Sequence, residues 1–141
     1  MNKAYIPKNL RNEVEQLANH RCEYCLTPAI VTVYSLQVDH NIPEKQGGPT
    51  LTGNLTLSCR PCNVCKGYTV VRCDYKTDST VWLFYSRKQK RSEQFLLLPT
   101  GTIMAKKYGG KAIIEVLRLN DQIRIEDWAA LIELSLLQSV T

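Results

Sequence analysis

Two cysteine pairs and one Asp-His step hold most of the chemistry available to this chain. Cys22-Glu23-Tyr24-Cys25 and Cys59-Arg60-Pro61-Cys62 are each a Cys-x2-Cys, with the 33 residues 26–58 between them. Zinc takes thiolates at about 2.3 Å in a tetrahedron, and a two-residue spacer lets one turn supply two of them. Two such turns brought together make a closed four-thiolate zinc site. The downstream pair has two readings, because Cys59, Cys62 and Cys65 stand three apart. Pro61 suits the turn of a metal knuckle and favours Cys59 with Cys62. Cys65 is then a spare thiol, and Cys73 reads as a buried strand residue.

The loop that this site would close contains Asp39-His40, Gly47-Gly48 and Asn54-Leu55, and Asn63-x2-Lys66 follows it. Histidine is the side chain that exchanges its proton near neutral pH. Carboxylate and amide oxygens are hard ligands that suit Mg²⁺ or Mn²⁺ better than zinc. An amide can fix a neighbouring group without titrating. Each of these residues also has a plainer reading. His40 could be a satisfied, non-catalytic histidine, Asn54 a turn residue, Asn63 a helix N-cap and Lys66 a solvated lysine. His20, the other histidine, reads as a helix-end surface residue.

The elements that must position these groups follow from periodicity and breakers. Pro7 to about His20 reads as a helix, with Leu10, Val14, Leu17 and Ala18 at helical spacing. Ile30 to Val38 is rich in β-branched residues and reads as a strand ending at Asp39-His40. Asn41 to Gly53 is a loop, Asn54 to Ser58 a second strand, and Pro61 to Tyr68 a helix, which together compose a ββα unit. Further on, Val70 to Tyr75 and Thr80 to Tyr85 read as strands. Gln94 to Leu98 and Thr102 to Lys106 read as a hairpin around Pro99-Thr100-Gly101. Lys111 to Leu119 and Asp121 to about Gln138 read as helices, the last with apolar residues at Trp128, Leu131, Ile132, Leu136 and Leu137.

The chain has 141 residues, 44% of them apolar and 22% charged, which argues for one folded domain over 1–141 and against disorder. The core is expected at about 20–70 and an extension at about 71–141. The formal charge of +5 is compatible with a polyanionic partner. Arg87-Lys88-Gln89-Lys90-Arg91 puts four positive charges in five residues, which suits either phosphate contacts or a solvated loop. The opening Met1–Pro7 lacks a signal-peptide stretch, and no run approaches the roughly 18 apolar residues of a membrane span. The expectation is a cytoplasmic protein with no membrane partner, in which six cysteines favour metal over disulfides.

With Asp39-His40, Asn54-Leu55 and Cys62-Asn63-x2-Lys66 in place, the sequence resembles the HNH endonuclease family. The family pattern is a Cys-x2-Cys, an Asp-His or Glu-His followed by Ile-x-Pro or similar, a Gly-Gly loop, an Asn-Leu, and a Cys-x2-Cys-[His/Asn]-x2-Lys. Residues 21–67 match it nearly throughout, about a third of the chain. Asn63 stands where the family name has histidine. Ser92-Glu93-Gln94-Phe95 and Leu117-Arg118-Leu119-Asn120 resemble the tail of a bacterial subgroup, with Gln94 and Ser92 in place of its usual histidine and tryptophan.

The resemblance implies an α+β fold: a ββα-metal core with a structural zinc on Cys22, Cys25, Cys59 and Cys62, an N-terminal helix and a C-terminal strand-helix extension. It implies hydrolysis of DNA phosphodiesters, leaving 5′-phosphate and 3′-hydroxyl, with RNA left open as a substrate. His40 would be the base that activates water and Asn54 would orient it. Asp39 and Asn63 would hold a catalytic Mg²⁺ or Mn²⁺. Lys66, Arg87, Lys88, Lys90 and Arg91 are the candidate nucleic-acid contacts. The rival reading is a non-catalytic zinc module that binds nucleic acid or a protein. The apolar C-terminal helix offers a face for self-association.

Overall fold

In a computed structural model of the chain, residues 5–74 and 76–138 are described. They mix helices with short antiparallel strand pairs, an α+β architecture, and fall into two compact units, Met1–Val64 and Cys65–Thr141.

The first unit is built on a hairpin. β1 (Gln37–His40) pairs antiparallel with β2 (Leu55–Ser58), in the register Gln37↔Ser58, Val38↔Leu57, Asp39↔Thr56 and His40↔Leu55. Directly opposed residues share a face. One face therefore carries Val38, His40, Leu55 and Leu57, and the other carries Gln37, Asp39, Thr56 and Ser58. The first face packs under α1 (Lys8–Leu17), where Ile6, Val14, Ala18, Leu55 and Leu57 form a core joined by Leu10, Leu36 and Val38. Pro7 precedes α1 with its fixed φ, as a first-turn proline should. Leu17, expected on this apolar face, is instead 54% exposed. The second face lies on the side of α2 (Arg60–Lys66), whose Asn63 reaches Gln37.

The expected strand over Ile30–Val38 is not what forms. Ala29–Val31 is a single 3₁₀ turn, and Ile30 and Val33 stand 86% and 94% exposed. The reason is the partner. β2 offers only four residues, so pairing begins at Gln37 and runs through Asp39-His40, placing both inside the strand.

The second unit holds β3 (Val71–Asp74) paired with β4 (Ser79–Trp82), then the short helix α3 (Arg91–Gln94). The hairpin of β5 (Phe95–Leu97) with β6 (Ile103–Ala105) follows, then α4 (Tyr108–Leu117) and α5 (Gln122–Glu133). Tyr75, the expected end of the first of these strands, lies outside the described residues. Its core includes Phe84 and Phe95, edge to face at 5.1 Å, together with Ile113, Leu117, Leu119 and Trp128. Asn120 imitates a strand partner: its Oδ1 accepts from the Ile103 amide and its Nδ2 donates to the Ile103 carbonyl, both at 2.8 Å. α4 starts at Tyr108, ahead of the expected Lys111. Gly110 is needed inside it, because a Cβ there would lie 2.6 Å from the Gln94 carbonyl oxygen.

Candidate metal centre and active site

The four-cysteine cage forms as expected. The Sγ atoms of Cys22, Cys25, Cys59 and Cys62 lie within 4.8 Å of one another, all buried, and Cys25 Sγ is 3.7 Å from Cys59 Sγ. A zinc–sulfur tetrahedron with bonds of about 2.3 Å has edges of about 3.8 Å. The cage therefore fits that ion and is far too open for a disulfide, and none of the six cysteines forms one. Cys65 is exposed and outside the cage, which settles the pairing as Cys59 with Cys62. Cys73, expected to be buried, is exposed too.

The first knuckle is shaped by local backbone. Asn19, His20 and Leu26 take positive φ, and the Leu26 amide donates to the Cys22 carbonyl. Glu23, between the two sulfurs, anchors the turn to β2. Its amide donates to the Leu57 carbonyl, and its Oε2 accepts from the Leu57 amide at 2.7 Å. Burial pushes the Cys22 thiol well above its usual range, and hydrogen bonding to Cys22 raises Cys62. A buried cage of sulfurs cannot hold several negative charges without a cation, so its chemistry calls for a metal. Burial also drives the neighbouring Tyr24 phenol far above its ordinary value.

The loop after β1 brings the remaining candidates together. His40 is 9% exposed. Its Nε2 lies 2.9 Å from Thr50 Oγ1 and 3.9 Å from Glu44 Oε1, and Thr50 Oγ1 donates to Glu44 Oε1 at 3.2 Å. Asn54, 4% exposed, makes no hydrogen bond to the ring. Its Oδ1 accepts from the Ile42 amide at 2.9 Å, and its Nδ2 donates to the Ile42 and Pro49 carbonyls at 3.0 and 2.9 Å. The asparagine expected to orient the base thus clamps the two ends of the loop that carries the ring's partners. Gly48 fits inside this clamp because it has no side chain: a Cβ would lie 1.7 Å from the Ile42 carbonyl oxygen.

Asp39 and Asn63 lie along one side of the hairpin. Asp39 shares its face with Gln37, and Asn63 Nδ2 donates to Gln37 Oε1. This leaves the Asn63 amide oxygen uncommitted among the described residues. Asp39 Oδ1 accepts from the His40 amide at 2.9 Å, leaving its second oxygen in the same condition. Carboxylate and amide oxygens are hard donors, of the kind a divalent cation such as Mg²⁺ takes.

Lys66 differs from expectation. It is 4% exposed and has an interaction partner within the protein, where a solvated lysine or an exposed phosphate contact was the expectation. In the 87–91 run, Lys88 and Lys90 are exposed. Lys88 Nζ stands 5.5 Å over the Tyr85 ring, and the Arg91 guanidinium lies 5.1 Å over Phe95. Thr50, Glu44 and Gln37 were not foreseen. They sit in polar stretches with no spacing that marks them. Among the described residues no helix is long and apolar enough to cross a membrane.

Residues 22–69 match the family model described as HNH endonuclease, a span that takes in both cysteine pairs, the hairpin and α2. No curated protein matches the chain.

Proposed function

From the match of residues 22–69 to the HNH endonuclease family model, we propose that this protein hydrolyses phosphodiester bonds in DNA and leaves 5′-phosphate and 3′-hydroxyl ends. The observation that supports this best is the hairpin itself. Asp39 and Asn63 offer oxygens on one side of it, and His40 is held at its end by the loop that Asn54 closes.

In this reading Cys22, Cys25, Cys59 and Cys62 hold a structural zinc, which keeps the ends of the 26–58 segment together. Asp39 and Asn63 hold a catalytic Mg²⁺ or Mn²⁺. That ion, when bound, relieves charge on the scissile phosphate and on the departing 3′ oxygen. His40 accepts a proton from the attacking water, and the water oxygen ends on phosphorus. Arg87, Lys88, Lys90 and Arg91 track the phosphate backbone, and their contribution falls with salt. The protein works in the cytoplasm.

The test is cleavage of supercoiled plasmid with Mg²⁺ or Mn²⁺ by the wild type and by His40→Ala, both confirmed to retain zinc. Loss of about 10²- to 10⁴-fold in the variant is expected for a general base. Equal cutting by both removes His40 from the reaction. DNA binding without cutting by either moves the assignment to a binding module.

A further inference from the structure

The geometry points to Thr50 and Glu44 as positioning residues that keep the ring proton of His40 on Nε2, leaving Nδ1 as the nitrogen that accepts the proton from water. The inference rests on the proposed nuclease reading for its consequence, though not for its geometry.

A neutral imidazole carries one N–H, and which nitrogen holds it is set by the partner of the other. Three atoms meet at His40: Nε2, Thr50 Oγ1 at 2.9 Å, and Glu44 Oε1 at 3.2 Å from that hydroxyl. An ionised carboxylate can only accept. Thr50 has a single hydroxyl proton, and Glu44 has no other way to bond to it. With that proton directed at Glu44, the hydroxyl faces Nε2 with a lone pair, so Nε2 must supply the hydrogen. The opposite tautomer would turn the Thr50 proton to the ring and leave two oxygen lone pairs facing each other at 3.2 Å. Glu44 Oε1 also lies 3.9 Å from Nε2 itself, where a carboxylate favours an N–H over a lone pair. Among the described residues Nδ1 has no hydrogen-bond partner, so its lone pair is open to a water molecule.

The loop gives this arrangement its rigidity. Glu44 opens a 3₁₀ turn, Glu44–Gln46, and the amides of Gln46 and, beyond the turn, Gly48 both donate to the Pro43 carbonyl. Asn54 bonds to Ile42, two residues before Glu44, and to Pro49, one residue before Thr50. Asn54 therefore acts on the ring through Thr50 and Glu44, without a hydrogen bond to it.

The test uses the zinc-loaded full chain, labelled with ¹⁵N-histidine. Long-range ¹H–¹⁵N correlation at a pH where the ring is neutral reads which nitrogen is protonated. His40→Asn, measured alongside, distinguishes the signals of His40 from those of His20. The wild type is expected to show Nε2–H, and Thr50→Val, which keeps the shape and loses the hydroxyl, a mixture of the two tautomers. In plasmid cleavage Thr50→Val is expected to lower kcat by about 10²-fold, within the range of general-base contributions, with KM within about twofold. Thr50→Ser is expected to restore both the tautomer and most of kcat. Nδ1–H in the wild type overturns the inference, as does a Thr50→Val protein with the wild-type tautomer and kcat. The spectrum needs no substrate, so a protein that shows Nε2–H and cuts nothing refutes the nuclease reading alone. One that cuts and shows Nδ1–H refutes this inference alone.

Discussion

Replacing Asn54 with alanine tests whether the loop over the candidate site is held by one side chain. The change deletes three hydrogen bonds of 2.9, 3.0 and 2.9 Å from a residue that is 4% exposed. A net value of about 1 kcal/mol for each gives a loss of about 3 kcal/mol. With a urea slope of about 1–3 kcal/mol per molar, the midpoint should fall by roughly 1–3 M. The probe has to report on the right unit. Both tryptophans, Trp82 and Trp128, lie in Cys65–Thr141, so their fluorescence follows that unit. Zinc release to a coloured chelator follows Met1–Val64, the unit that contains all four cysteine ligands and the Asn54 clamp. The expected result is a lower midpoint for zinc release in Asn54→Ala. Asn54→Asp should be at least as damaged, because its carboxylate keeps the Ile42 amide as a donor but faces two carbonyl oxygens. A zinc-release midpoint within about 0.3 M of wild type in Asn54→Ala would refute the clamp. An aspartate variant better than alanine would show that the bonds to the carbonyls contribute little.

Four further outcomes rest on the same geometry. Gly48→Ala must displace the Ile42 carbonyl, whereas Gly47→Ala meets nothing within 4 Å and bears only the strain of its φ of +85°. Chemical unfolding should therefore show Gly48→Ala as clearly the more destabilised, with Gly47→Ala costing about 1 kcal/mol; the reverse order would contradict the packing. Chelating the zinc should remove far-UV helical and strand signal from the first unit, since binding of this kind supplies about 10–16 kcal/mol of apparent free energy. Cys59→Ser should lose zinc while Cys65→Ser keeps it, as metal analysis of the purified variants will show. The Tyr24 phenol is raised by burial, so it stays neutral in the folded protein while the unfolded one ionises near its ordinary value of 10.0. Stability linked to Tyr24 is thus intact below pH 10 and declines as pH rises beyond it, by up to about 1.4 kcal/mol per pH unit. Tyr24→Phe should lose this part of the alkaline decline, and an unchanged pH profile would count against the buried phenol.

The cysteine cage was legible because Cys-x2-Cys is a local geometry: the spacing alone decides that one turn can offer two sulfurs. The ββα order was legible from breakers and periodicity in the same local way. The extent of β1 was not. Ile30 to Tyr34 has every intrinsic reason to be extended, yet a strand needs a partner, and β2 stops at Ser58 opposite Gln37. The burial of Lys66 was likewise closed to inspection, because a lysine's environment depends on what packs over it. The role of Asn54 was half legible. Its residue type and place promised a link to the His40 region, but its bonds go to the backbone at Ile42 and Pro49. The ring's own partners, Thr50 and Glu44, are ordinary polar residues of a loop, and only the closed loop sets them beside Nε2.

The cage joins a turn near residue 22 to a helix that contains residue 62, and everything proposed for catalysis up to Asn54 lies between. Synthesis runs from the N-terminus, so the first two sulfurs leave the ribosome well before the second two. Until Cys59 and Cys62 have emerged, the metal has only half its ligands, and β1 has no β2 to pair with. Closing a segment of 33 residues removes roughly 4 kcal/mol of chain entropy from the open form. That makes capture of the ion the step that commits the hairpin. A growing chain therefore carries Asp39 and His40 as inert residues, and a cell short of zinc would accumulate finished chains in the same condition.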